Sequence, residues 1–120
     1  MNDEVLFNVD AALDRLDQDK GLLAMLMGVS STELDHNLKA LSAALNKGSW
    51  AELRAAAHRI KGTSGTLGFD SCHAKATYLE KFCSSGEAEK DPSRAVMLTH
   101  DLQNTLHDAL KAGMEWAKTA

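Results

Sequence analysis

The sequence predicts an all-α fold: an up-down antiparallel four-helix bundle with a short additional N-terminal helix. Three observations carry this. Apolar residues recur at three- and four-residue steps along most of the chain, which is the helical period. Aromatics make up only 5% and there is one proline, Pro92, in a chain rich in Ala and Leu. Long amphipathic segments alternate with short punctuation, a pattern that packs as antiparallel neighbours. The 120 residues suit one domain, 1–120, and 44% hydrophobic with 25% charged residues is the balance of a globular chain with a core.

The elements follow in order. Asn8 is placed to cap a short helix over 9–16, whose stripe is Val9, Ala12, Leu13 and Leu16. Asp17, Gln18 and Asp19 break it, and Asp19 caps the next. That second helix spans 20–46 on Leu23, Met27, Ser30, Leu34, Leu38 with Asn37 beside it, Leu41 and Leu45. Gly28 and the Ser30–Ser31 pair are weak points within it, and Lys47-Gly48 closes it. Ser49 with Glu52 reads as a capping box opening a third helix over 50–67, along Trp50, Leu53, Ala57, Ile60, Ser64 and Leu67. A fourth helix over 70–84 follows Phe69, Cys72, Ala76, Leu79 and Cys83. Residues 85–91 read as a polar loop. Asp91 as cap and Pro92 at the first helical position open the last helix, 92–117, along Ala95, Leu98, Leu102, Leu106, Ala109 and Gly113.

Composition excludes several function classes. Thirteen basic and seventeen acidic residues give a net charge of -4, with no basic face for a nucleic acid. No apolar run approaches the roughly 20 residues of a membrane span. The start has neither a positive n-region nor an apolar h-region, so the expected compartment is the cytoplasm, with Cys72 and Cys83 as free thiols. Their spacing fits no common zinc signature. His100 and His107 stand about 10 Å apart along one helix face, without the Glu-x-x-His pairs of a di-iron bundle. A kinase, Rossmann enzyme or P-loop NTPase needs more chain, and a glycine-rich loop after a strand. The one glycine cluster, at 61–68, follows a helix instead.

Chemistry concentrates in A-A-A-H-R-I-K-G-T-S-G-T-L-G at 55–68. At about 100° per residue, His58 points roughly 130° from the centre of its helix's core stripe. Its neighbours along the axis are small: Ala55, Gly62 and Gly65. Each glycine inside a helix costs about 1 kcal/mol relative to alanine. Close approach of another molecule to the ring is one reason to accept that cost. Lys61 at i+3 is placed to offset the charge of a phosphoryl group on the ring, and Arg54 at i-4 adds to it. A neutral imidazole, with an unperturbed pKa of about 6.5, is a nucleophile near pH 7. The bland alternative is a histidine on a solvated helix face; the lysine and glycines at these offsets weigh against it.

H-R-I-K-G-T-S-G-T-L-G resembles the H-x-[hydrophobic]-K-G-[small]-[small]-x-x-[hydrophobic]-G motif of the histidine-containing phosphotransfer (HPt) domains, and every position of the motif is filled. The resemblance extends to the short first helix, the D-Q-D turn, the long second helix, the K-G-S-W entry and Y-L-E at 78–80. It implies that His58 is phosphorylated, that Lys61 stabilises the phosphoryl group, and that Gly62 leaves room for the partner. Many members orient the imidazole through its second nitrogen with a Gln or Glu from the next helix, and Glu80 is the nearest match by position.

The expected function is a monomeric phosphocarrier, relaying a phosphoryl group between receiver-domain aspartates in a multistep His-Asp phosphorelay. Its expected partners are receiver domains of response regulators and of a hybrid sensor histidine kinase. No ATP-binding segment is present, so no kinase activity of its own is expected. No cofactor is expected either, Mg²⁺ being supplied by the receiver. The rival is a helical-bundle protein that binds receivers through the same face without phosphotransfer. A histidine kinase dimerisation domain would need an ATP-binding domain beyond this length.

Overall fold

A computed structural model describes residues 4–120; the first three positions of the expected 1–120 domain lie outside the described residues. The described residues form helices and no strand: α1 (Val9–Arg15), α2 (Lys20–Lys47), α3 (Trp50–Leu67), α4 (Asp70–Ser84), α5 (Glu87–Lys90) and α6 (Pro92–Thr119). Each of α2, α3, α4 and α6 packs against its two neighbours in a closed ring, with α2 against α6 completing it. This is the up-down four-helix bundle that the periodicity predicts. Among the described residues no helix is long and apolar enough to cross a membrane.

Local chemistry sets the helix ends. Asn8, Asp19 and Asp91 each accept a hydrogen bond from the backbone N–H three residues on, at 3.0 to 3.1 Å. Gly48 ends α2 at φ 67°, a left-handed conformation that favours glycine. The Ser49–Glu52 pair differs from a full capping box. Ser49 Oγ accepts the Glu52 N–H at 3.2 Å, but Ser49's own N–H goes to the Ala44 carbonyl, and Glu52 pairs with Lys47 instead. The αL turn closing α2 has already satisfied the donor that Glu52 would otherwise reach.

The reading of 85–91 as a polar loop is corrected: it contains the one-turn helix α5. Gly86 turns the chain at φ 84°, Ala88 is fully buried, and the Asp91 N–H closes the turn on the Glu87 carbonyl at 2.9 Å. One buried alanine among charged residues leaves no periodicity to read. The two weak points foreseen in α2 do not interrupt it; Ser31 Oγ instead donates to the Gly28 carbonyl at 2.7 Å.

Length differences between helices explain where α1 goes. At 1.5 Å per residue, the 28 residues of α2 and of α6 run about 42 Å, close to the 45 Å long axis of the molecule. α3 and α4 have 18 and 15 residues, so their junction stops short and leaves one end of the longer pair uncovered. The N-terminal segment fills that end. Phe7 packs edge-on against Phe69 and Trp116, with centroids 5.6 and 5.8 Å away. Gly68, at φ 77°, lets α1 approach: a Cβ there would overlap the Asn8 carbonyl oxygen, and the Gly68 carbonyl accepts the Asn8 N–H at 2.7 Å. The core between the four long helices is aliphatic, built on Leu23, Leu34, Leu41, Leu53, Ile60, Leu79, Leu102 and Leu106 with Met27 and Phe69. Cys72 and Cys83 are free and buried within it, and burial pushes the Cys72 thiol up to about 12.

Candidate functional site

The core stripe of α3 buries Leu53, Ala56, Ala57, Ile60, Ser64 and Leu67, which fixes its rotation about its own axis. His58 is therefore carried outward, its side chain 63% exposed. Three residues on, Lys61 leans toward α4. On α4, the buried positions Ala76, Leu79 and Cys83 turn Glu80 toward α3. The Glu80 carboxylate then bridges the two helices. Oε2 lies 2.6 Å from His58 Nδ1, and Oε1 accepts from Lys61 Nζ at 2.7 Å.

The Glu80 side chain is only 14% exposed, yet its carboxylate is held ionised. The hydrogen bond from Lys61 lowers its pKa most, and the His58 ring lowers it further, against the opposing effect of burial. An ionised carboxylate only accepts, so His58 Nδ1 carries the proton. In the neutral ring the lone pair is then on Nε2, at the edge of the imidazole away from Glu80.

Around the ring the surface is low. Ala51, Arg54, Ala55 and Arg59 border it with Glu80 on the α4 side; Ser30, Gly62 and Thr66 border it on the α2 side. A Cβ built on Gly62 meets nothing within 4 Å. Gly65 is different. A Cβ there would lie 3.1 Å from His73 Nδ1, and that nitrogen donates to the Lys61 carbonyl at 3.1 Å. Gly65 thus has a packing reason within the chain: it admits the His73 ring onto the backbone of α3. Arg54 lines the groove beside His58 and Glu80, exposed and, among the described residues, in no ion pair.

The structure therefore brings together His58, Lys61, Gly62, Glu80 and Arg54 and turns Gly65 toward α4. Sequence reasoning missed two participants. His73 left no signal, being alone on a helix flank. Arg59 was overlooked beside His58; its Nε donates to Asn37 Oδ1 at 2.8 Å, and Asn37 is a buried amide on the apolar face of α2. That polar residue inside a core stripe was the available signal. Of the two methionines near the start of α2, Met27 is fully buried and Met25 is 59% exposed, beside Val29 at 68%.

The described residues contain no group of three His, Cys, Asp or Glu arranged to hold a metal ion. A roomier groove of about 390 Å³ lies elsewhere, between α4 and α6. Its lining of Ala74, Lys75, Tyr78, Arg94, Leu98 and Asp101 offers nothing that resembles the His58 arrangement.

No curated protein and no solved structure matches the chain. The family model of the Hpt domain matches residues 25–114, three quarters of its length, from within α2 to near the end of α6. Hpt domains perform histidine phosphotransfer in two-component phosphorelays, interacting with receiver domains as phosphocarriers rather than as kinases. The all-helical bundle is consistent with the fold of that family, and the chain belongs to the Hpt domain family.

Proposed function

We propose that this protein relays a phosphoryl group between receiver-domain aspartates through Nε2 of His58. The observation that carries the reading is the Glu80 carboxylate, hydrogen-bonded to His58 Nδ1 and to Lys61 on a ring that is otherwise open to solvent. It fixes the tautomer, leaving Nε2 as the nucleophile and aiming it outward. In the forward step the Nε2 lone pair attacks the phosphorus of a receiver's aspartyl phosphate. The P–N bond forms, the P–O bond to the aspartyl oxygen breaks, and the aspartate leaves as a carboxylate. The ring gains positive charge while Nδ1 keeps its proton, and Glu80 offsets that charge. Transfer to a second receiver runs the same step backward.

Lys61 compensates charge on the phosphoryl group. Its side chain is 29% exposed and its ammonium is held by one carboxylate oxygen, so it has donors left for an incoming oxyanion. Arg54 adds positive potential from one turn earlier. Gly62 leaves the partner's path to the ring open, which the empty space around its Cβ position supports. Met25 and Val29 give a docking receiver apolar area on α2, the helix that borders the α2 side of the ring. In this reading the chain acts as a cytoplasmic monomer with no cofactor of its own, and Mg²⁺ belongs with the receiver.

The test is incubation with a receiver domain carrying radiolabelled aspartyl phosphate. The wild type takes up a label that is acid-labile and base-stable, as a phosphoramidate is, and His58→Gln takes up none while keeping its helical circular dichroism. Labelling of His58→Gln, or an acid-stable label, would overturn the assignment. A wild type that forms a complex with the receiver but takes no label would support the rival, a receiver-binding bundle without phosphotransfer.

A further inference from the structure

Lys61, the cation expected to meet the phosphoryl group, is already paired with Glu80 at 2.7 Å. Arg59 is not paired with any carboxylate among the described residues. It follows His58 in sequence and lines the grooves on both sides of the imidazole, the one toward α4 and the one toward α2. Its only hydrogen bond among the described residues runs through Nε, at 2.8 Å to Asn37 Oδ1. A guanidinium tied by Nε has its two Nη groups free, and these form the edge that binds an oxyanion in a bidentate manner.

The residue that ties it is out of place by packing criteria. Asn37 is 1% exposed, on the core face of α2 among Leu34 and Leu41. Its Oδ1 serves Arg59, while its Nδ2 meets no acceptor among the described residues. Turning the amide over would set a donor against the Arg59 donor, so the orientation is fixed. A leucine would fill this core position without leaving a buried donor unsatisfied. An amide held there at a cost in stability marks a polar contact retained for another purpose.

We propose that Arg59 is a second phosphoryl-binding residue of this relay, held beside His58 by Asn37, which acts as its positioning residue. This rests on His58 being the phosphorylated histidine. Arg59 contributes free Nη donors to the phosphoryl oxygens as the group passes to and from Nε2, and Asn37 removes the freedom of a long exposed side chain before the reaction begins.

The experiment compares wild type, Arg59→Gln, Asn37→Leu and the double variant. Each is phosphorylated both by a labelled receiver and by phosphoramidate, with urea midpoints measured in parallel. Arg59→Gln is expected to slow labelling by both donors about tenfold or more, the worth of a charge-assisted contact. Asn37→Leu is expected to raise the urea midpoint yet slow both labelling reactions several-fold, and to add little to Arg59→Gln, a combination that loss of structure does not produce. Wild-type rates for Arg59→Gln overturn the inference. So does slowing with the receiver alone, which would make Arg59 a docking contact. Failure of the wild type to take label at His58 would instead overturn the reading beneath it.

Discussion

Glycines separate two kinds of pressure on a single residue. At Gly62 an added Cβ meets open space on a helix, so Gly62→Ala is expected to stabilise the fold by up to about 1 kcal/mol in urea unfolding. Gly62→Gln should also stay folded, yet block transfer from a receiver while phosphoramidate still labels His58. Equal receiver rates for Gly62→Gln and wild type would remove Gly62 from the partner's path. Gly113 sits in the core, where a Cβ would lie 2.5 Å from Met27 Sδ and 3.1 Å from Phe69 Cζ. Gly113→Ala is therefore expected to destabilise by about 1–3 kcal/mol, as overpacking does, read as a lowered urea midpoint. Composition treats these glycines alike; their surroundings give them opposite signs.

Between helices, the deciding contact is the α3–α4 bridge made by Glu80. Its folded pKa is depressed, by Lys61 first and His58 after it. A depressed acid stabilises the fold fully above its unfolded pKa, about 4.3 for Glu, and loses that contribution as pH falls through the lower folded value. Wild type and Glu80→Gln should accordingly differ in urea midpoint at neutral pH and converge below about pH 4. A constant difference across pH 3–7 would mean that the carboxylate's charge does not stabilise the bridge. The i+3 offset of Lys61 and the motif around His58 were legible on α3 alone. The pairing to Glu80 was legible only as a match by position, since the turn at Gly68 and Phe69 sets the rotation of α4 and that turn is shaped by contact with Asn8.

For the molecule as a whole, the buried thiols report on the integrity of the core. Cys72 lies fully inside, its pKa raised to about 12 chiefly by burial. The folded state therefore favours the neutral thiol. Its contribution to stability is complete below the unfolded pKa, about 8.5, and is lost as pH rises toward the folded value. Native protein at pH 8 should leave Cys72 unmodified by iodoacetamide over hours, and modification should appear with urea unfolding. Rapid alkylation of native protein would show a core more open than this packing. Cys72→Ala should also lose less stability than wild type between pH 8 and pH 10, measured by urea midpoints.

Periodicity, caps and the His58 motif lie along the chain, and so the helical class, the order of the long helices and the outward face of His58 were all readable there. A helix imposes its own 100° geometry on neighbours in sequence, and no outside contact is needed to infer it. The one-turn α5 was not readable, because a single buried Ala88 carries no period. Neither were the role of Gly65 against His73 and the hold of Asn37 on Arg59, which join residues 8 and 22 positions apart on different helices. Those contacts depend on how each helix is rotated and how far it slides against the next. Packing of the whole core fixes both quantities, since ridges must fill grooves on every side at once.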